Sequence, residues 1–126
     1  MITTLLQVAL GGAIGASARY LTSVATMRFI GPGFPWGTLA VNVIGSFLMG
    51  VLVVALAHKD GGTRFAPFLM TGLLGGFTTF SAFSLDALVI YERGEFALAA
   101  FYVAASVLLS IGAIVLAMYL TRGAYA

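Results

Sequence analysis

The chain has 126 residues, of which 61% are hydrophobic and only 8% charged, with a net charge of +2 and no cysteine. Soluble domains carry about 25% charged residues, so this composition excludes an ordinary soluble protein and predicts an integral membrane protein in a lipid bilayer. The missing cysteines exclude a disulfide framework, and the scattered basic residues form no patch that would bind nucleic acid.

The first predicted transmembrane helix covers about residues 2–26, with no cleavable leader before it, so it is expected to be retained. Gln7, Gly11, Gly15 and Arg19 recur at a spacing of four and share one face. The two glycines permit close contact with another helix. Arg19 either sets a positive potential near an anion entrance or pairs structurally with backbone carbonyls or a loop.

The second predicted helix covers about residues 36–57 and begins at Trp36, a residue typical of the membrane interface. Small and polar residues three or four apart share one of its faces: Thr38, Asn42, Gly45, Ser46 and Gly50. The amide of Asn42 offers donors and an acceptor within the span. It is predicted either to hold helices together or to serve an ion pathway.

The third predicted helix covers about residues 65–91, with a break near residues 75–81. Two adjacent glycines each weaken a helix by about 1 kcal/mol, and hydroxyl side chains that can bond the backbone in turns follow them. Irregular backbone at membrane depth is tolerated only inside protein or beside a water-filled cavity. The stretch is therefore either a break at an ion-binding site or a kink whose glycines permit close packing.

A break would expose groups that bind ions. The last carbonyls of a half-helix lose their partners, and those of Gly75 and Thr78 are candidates for holding a cation. Phe80 and Phe83 either pack together or turn their positive ring edges toward an anion. Asp86 is expected to cap a helix or to pair with an arginine such as Arg19.

The fourth predicted helix covers about residues 96–119 and carries a hydroxyl group on every fourth residue of one face: Tyr102, Ser106 and Ser110. These hydroxyls form either a polar track or bonds to the carbonyls of their own helix.

Four spans with short loops predict one transmembrane domain, residues 1–126, with both termini on one side of the membrane. Three basic residues then lie on the side of the termini (Lys59, Arg64 and Arg122), and two, or three with Arg19, lie on the other (Arg28 and Arg93). Orientation follows an imbalance of such charges, and here there is almost none. The chain is therefore predicted to insert in both orientations and to pair as an antiparallel homodimer.

Three segments resemble the CrcB/Fluc fluoride channel family: GGAIGASARY at 11–20, WGTLAVNVIGSFLMG at 36–50 and GLLGGFTTFSAFSLD at 72–86. The resemblance implies a homodimer in the inner membrane of a prokaryote, with two antiparallel pores that export fluoride passively from the cytoplasm. A structural sodium ion would lie at the centre of the dimer, held by the backbone carbonyls of Gly75 and Thr78. Asp86 replaces the glutamate that the family often has.

The same resemblance implies an anion pathway made of the asparagine of the second helix, the two phenylalanines after the break, several hydroxyls and the arginine of the first helix. In this sequence those residues are Asn42, Thr79, Phe80, Ser81, Phe83, Tyr102, Ser110 and Arg19.

Other functions are less consistent with the residues. The spans contain no nucleotide-binding motif, catalytic triad or paired carboxylates, so an enzyme is not expected. A small dual-topology multidrug exporter needs a glutamate in its first helix, where this chain has Gln7 and Arg19. A structural membrane subunit without transport activity would leave the polar faces of the second and fourth helices unexplained.

Overall fold

Every regular element of the chain is helical. The computed structural model describes all 126 residues. Helix α1 is Ile2–Phe29 and α2 is Trp36–Ala57. A 3₁₀ turn at Gly62–Arg64 follows α2. The next helix is π-helical over Pro67–Leu74 and α-helical over Gly75–Phe77, and we call these two segments together α3. Helix α4 is Phe80–Glu92 and α5 is Phe96–Ala124. The predicted all-helical class is confirmed.

Three segments are long and apolar enough to cross a membrane, whereas the sequence predicts four. They are Trp36–Ala57, Pro67–Glu92 (α3 and α4 together) and Phe96–Ala124. Helix α1 has 28 residues, which is enough length for a span. Threonine, serine and glycine residues, together with Gln7 and Arg19, make it less apolar than the others. The molecule therefore has several candidate spans, and α1 is not among them.

Helices α1 and α3 pack through glycine. Gly11 and Gly15 are buried, and a Cβ atom on Gly15 would lie 2.9 Å from the backbone nitrogen of Phe77. From the other side, a Cβ atom on Gly76 would lie 2.7 Å from the carbonyl oxygen of Gly12. The backbones of the two helices thus touch directly, as small residues permit inside membranes.

The interruption of the third helix is narrower than the predicted 75–81. Gly75, Gly76 and Phe77 are helical, and only Thr78 and Thr79 are extended, with φ/ψ of −87°/159° and −153°/121°. The contact of Gly76 with α1 favours the helical conformation here and offsets the weak helix propensity of glycine. Glycines that permit close packing and a true break thus lie side by side in this stretch.

Helices α2 and α5 form the other closely packed pair. Gly50 lies against α5, where an added Cβ atom would lie 2.8 Å from both the Ala117 side chain and the Ile114 carbonyl oxygen. A small apolar core lies toward one end of this pair, made of Leu39, Ile90, Ala99 and Tyr102. Many large apolar side chains remain exposed, among them Leu108 and Tyr119 at 70% and 74%. Such a surface suits lipid or a second copy of the chain better than water.

Candidate functional site

The break is held open by an amide from another helix. The Thr79 backbone N–H donates to Asn42 Oδ1 at 2.7 Å, and Asn42 Nδ2 donates to the Thr79 carbonyl oxygen at 3.0 Å. Asn42 thus pairs with both backbone groups of one residue, as a neighbouring peptide would. Unpaired backbone groups inside a membrane cost several kcal/mol each, so this pairing stabilises the extended residues.

The threonines of the break bond to the two half-helices. Thr78 Oγ1 donates to the carbonyl oxygen of Leu74 at 2.9 Å, at the end of α3. Thr79 is the N-cap of α4, and its Oγ1 accepts from the Ala82 N–H at 3.1 Å. Ser81 Oγ lies 3.3 Å from the same oxygen. These local bonds are those expected of threonine and serine at a helix start.

Arg19 also acts on the backbone. Its Nε donates to the carbonyl oxygen of Gly76 at 3.0 Å, one residue before the end of α3. A cation at the C-terminal end of a helix interacts favourably with the helix dipole, by about 0.3–1 kcal/mol. This contact is the one that the structural alternative for Arg19 predicts.

Beside the break lies an open groove of about 410 Å³ between α2, α4 and α5, and we call it the groove. Five of the eight predicted pathway residues line it: Asn42, Thr79, Phe80, Phe83 and Ser110. Its other lining residues are Gly45, Ser46, Met49, Thr78, Ser106, Val107, Ile111 and Ile114. The remaining three predicted residues, Arg19, Ser81 and Tyr102, do not line it.

Two serine residues that line the groove have hydroxyl groups without a hydrogen-bond partner. The Oγ atoms of Ser106 and Ser110 are buried and unpaired, although a serine in a helix commonly bonds a carbonyl of the preceding turn. Elsewhere in the chain, Ser17, Ser84 and Thr121 form such bonds. A buried hydroxyl without a partner costs free energy, so these two donors are suited to a guest in the groove.

The aromatic side chains form one wall of the groove. Phe80 is 78% exposed, and its ring centroid lies 5.5 Å from that of Phe83 at an interplanar angle of 59°. Phe83 in turn lies 5.3 Å from Tyr102. A tilted pair of this kind brings the positive edge of one ring toward the negative face of the other.

Asp86 bonds to tyrosine and not to arginine. The hydroxyl of Tyr102 donates to Asp86 Oδ2 at 3.1 Å, and the only ion pair in the molecule joins Arg93 to Glu95 at 2.8 Å. The predicted pairing of Asp86 with an arginine such as Arg19 is wrong, because Arg19 lies at the end of α3 and donates to Gly76 there.

Two carbonyl oxygens at the break accept no hydrogen bond. In a continuous helix Gly75 would accept from the Thr79 N–H, which here donates to Asn42. Thr78 would accept from the Ala82 N–H, which here donates to Thr79 Oγ1. Uncharged carbonyl oxygens are ligands for hard cations, so both predicted sodium-binding carbonyls are free to bind one.

Two further hydroxyl residues line the groove, Ser46 and Ser106, which the sequence placed on polar helix faces but which the family resemblance did not assign to the anion pathway. Both lie on the polar faces of their helices, spaced four residues from Asn42 and Ser110 respectively. The helical spacing therefore identified both serines as members of polar faces.

Comparison with known proteins gives one consistent result. A family model described as "CrcB-like protein, Camphor Resistance (CrcB)" matches residues 6–118. The chain is 68% identical over 123 residues to a protein of Cereibacter sphaeroides named "Fluoride-specific ion channel FluC", with 98% of both chains covered. A protein of the same name from Ruegeria sp. (strain TM1040) is 58% identical, with 98% of both chains covered. Another from Agrobacterium fabrum is 53% identical, with 94% of this chain and 95% of its own length covered.

Proposed function

Because the chain belongs to the CrcB-like family, whose named relatives are fluoride channels, we propose that it is a fluoride-specific ion channel of the bacterial plasma membrane and not an enzyme. One observation supports assigning this function to particular residues. Ser106 and Ser110, whose buried hydroxyls have no hydrogen-bond partner, line a groove that is also walled by Phe80 and Phe83.

The chemistry of the groove suits a small anion. Fluoride is strongly hydrated, so a pathway must replace its water with hydrogen-bond donors. Ser106 and Ser110 provide two donors on α5, and the ring edges of Phe80 and Phe83 provide positive charge on the facing wall. Asn42, Thr79, Ser81, Tyr102 and Arg19 complete the proposed pathway, the first two by fixing the break beside it.

Transport is proposed to be passive. An exporter driven by protons needs a group in its pathway that takes up and releases them, and no acidic residue lines the groove. Asp86 lies outside it and accepts a hydrogen bond from Tyr102.

A second copy of the chain is proposed to close each groove. The groove is open on one side, where Phe80 is 78% exposed, so one protomer does not enclose a pore. We propose that α1 is a fourth span and that two protomers pair antiparallel, giving two pores. The near-equal basic charge at the two ends supports both orientations.

Sodium is proposed to bind where the two breaks meet. Each protomer would contribute the carbonyl oxygens of Gly75 and Thr78, which accept no hydrogen bond within it. Gly75 is exposed, so its carbonyl is within reach of a partner. A cation there would hold the ends of both α3 helices in place.

Fluoride efflux from liposomes tests the function. Vesicles containing only this protein are loaded with potassium fluoride or potassium chloride, a potassium ionophore is added, and released anion is followed with an ion-selective electrode. We expect rapid fluoride release without a proton gradient, and retention of chloride. A Phe80→Ile variant, which removes a positive ring edge, is expected to slow release by tenfold or more, by loss of about 1.4 kcal/mol of stabilisation in the pathway.

Two results would contradict the proposal: no fluoride release, or release only when a proton gradient is imposed. The same vesicles test the cation site. With sodium chloride added on both sides, fluoride release is expected to be faster than with N-methylglucamine chloride added in its place, and equal rates would remove sodium from the proposal.

A further inference from the structure

Phe34, in the loop between α1 and α2, packs its side chain against the apolar core. Phe34 is half-buried, and its ring meets Tyr102 edge-on, with centroids 5.4 Å apart and an interplanar angle of 88°. It also lies 4.7 Å from Trp36 and 6.1 Å from Phe101. Phe34 itself does not line the groove.

The ring contacts continue from Phe34 to the groove. Tyr102 follows it, then Phe83 at 5.3 Å and Phe80 at 5.5 Å, both in the groove wall. Tyr102 is fully buried, and its hydroxyl is fixed by Asp86 at one end. The edge-on contact with Phe34 fixes the plane of the same ring, because such pairs have a preferred orientation.

A hydrogen bond from Arg93 restrains the loop residue that precedes Phe34. Arg93 Nη2, just after α4, donates to the carbonyl oxygen of Gly33 at 3.0 Å and lies 2.8 Å from Glu95 Oε2. Gly33 has φ of +110°, a conformation that glycine adopts readily, which lets the loop turn toward α4. The hydrogen bond of Arg93 therefore fixes the residue that precedes Phe34.

We infer that Phe34 is a positioning residue for the anion pathway, acting through Tyr102 on Phe83 and held in place by the bond from Arg93 to Gly33. The inference rests on the proposed function and adds a residue to it. Without Phe34, the ring of Tyr102 keeps its hydroxyl bond but can tilt about it. The ring that sets the direction of the Phe83 edge is then no longer fixed.

The test compares three variants in the liposome assay. Phe34→Leu keeps an apolar side chain but removes the ring, and we expect fluoride release to fall about fivefold, the effect of one lost aromatic pair. Phe34→Tyr keeps the ring and is expected to restore release to within twofold of wild type. The control is Phe96→Leu, which removes an exposed ring whose aromatic neighbour is Tyr91, and it is expected to leave release unchanged.

A second pair of variants tests whether the hydrogen bond from Arg93 to Gly33 restrains the loop. Arg93→Gln shortens the side chain and removes the bond to Gly33, whereas Arg28→Gln removes the same charge from the same end without a loop contact. Trp36 is the only tryptophan and lies against Phe34, so its fluorescence reports the loop. We expect Arg93→Gln alone to increase acrylamide quenching of Trp36 and to lower fluoride release.

The outcomes separate the two proposals. Wild-type protein that releases fluoride, with Phe34→Leu releasing it equally fast, overturns the inference and leaves the channel intact. An equal fall in Phe34→Tyr and Phe34→Leu also overturns it, since the ring would then not matter. Wild-type protein that releases no fluoride overturns both. If Phe34→Leu does not fold, Arg93→Gln decides: unchanged quenching and unchanged release overturn the inference.

Discussion

Asn42 and Arg19 both direct their hydrogen bonds to the backbone of the broken helix. Asn42 pairs with Thr79, and Arg19 caps the carbonyl of Gly76. The hydroxyls of Ser106 and Ser110, by contrast, have no partner. At the scale of single residues, polar groups thus divide into those that pair with the backbone of the broken helix and those that have no partner.

Ser110→Ala tests this division. Its hydroxyl bonds nothing in the protomer, so its loss should leave the thermal unfolding midpoint unchanged or slightly raised. Fluoride release should fall about tenfold, since a hydrogen bond to a charged group contributes about 1.5–3 kcal/mol. Both quantities are measured on the same purified protein.

The matched control for Ser110→Ala is Ser84→Ala, whose hydroxyl bonds the Phe80 carbonyl of its own helix on an exposed face. It should alter neither quantity. Equal release from wild type and Ser110→Ala would remove this serine from the pathway.

Residue types were predictable from the sequence, but most of their partners were not. Spacing placed Asn42 and Ser110 on polar faces correctly because helical periodicity is local. The bond from Asn42 to Thr79 joins positions 37 residues apart, and no local rule selects that partner. The same holds for Arg19 and Gly76, 57 residues apart, and the alternatives for Arg19 therefore stayed open.

At the scale of elements, glycine packing and the helix break are adjacent but separate features. The low helix propensity of glycine predicted a break from residue 75, whereas the helix continues through Phe77. Contact with α1 explains the difference: the Gly76 Cα faces the Gly12 carbonyl, and this packing keeps the segment helical. Sequence therefore located the irregular region but not its limits, because the packing partner lies in another element.

Alanine at the two glycines should separate their roles. In Gly76→Ala the new Cβ atom would lie 2.7 Å from the Gly12 carbonyl oxygen, a backbone atom that cannot easily move. We expect a loss of about 1–3 kcal/mol in the free energy of unfolding, as for other overpacked sites. Denaturant titration in mild detergent measures it.

Gly75→Ala is the companion variant for Gly76→Ala. Its nearest contact would be the Met70 carbonyl oxygen at 3.5 Å, an ordinary van der Waals distance. We expect this variant to be as stable as wild type or more stable by about 0.5–1 kcal/mol through helix propensity. Equal destabilisation by both substitutions would contradict the packing account.

At the scale of the whole molecule, a single chain leaves its groove open on one side. Its groove is open, its apolar side chains cover much of the surface, and its basic residues are divided almost equally between two ends. Composition alone predicted a membrane protein correctly. The open side of the groove was not predictable from composition, because it depends on how the helices are arranged around the break.

Dual insertion is testable with a tag on the C-terminus. The C-terminus is fused either to a reporter that is active only inside the cell or to one that is active only outside it. We expect both fusions to give signal. Changing Lys59 and Arg64 to glutamine removes two of the three basic residues at one end, and should move the C-terminus largely to the outer side. Signal from one reporter alone in the wild-type chain would contradict dual topology.

The pairing of Asn42 with Thr79 also has a consequence for biosynthesis. The extended residues at Thr78 and Thr79 are costly in lipid until an outside group pairs with them. Helix α2 precedes them in the chain, so its amide is already made when the break leaves the ribosome. Helix α5 follows and adds the last wall of the groove. Asn42 is thus synthesised before the extended residues that it stabilises. A circularly permuted chain that began at α3 would lose this advantage.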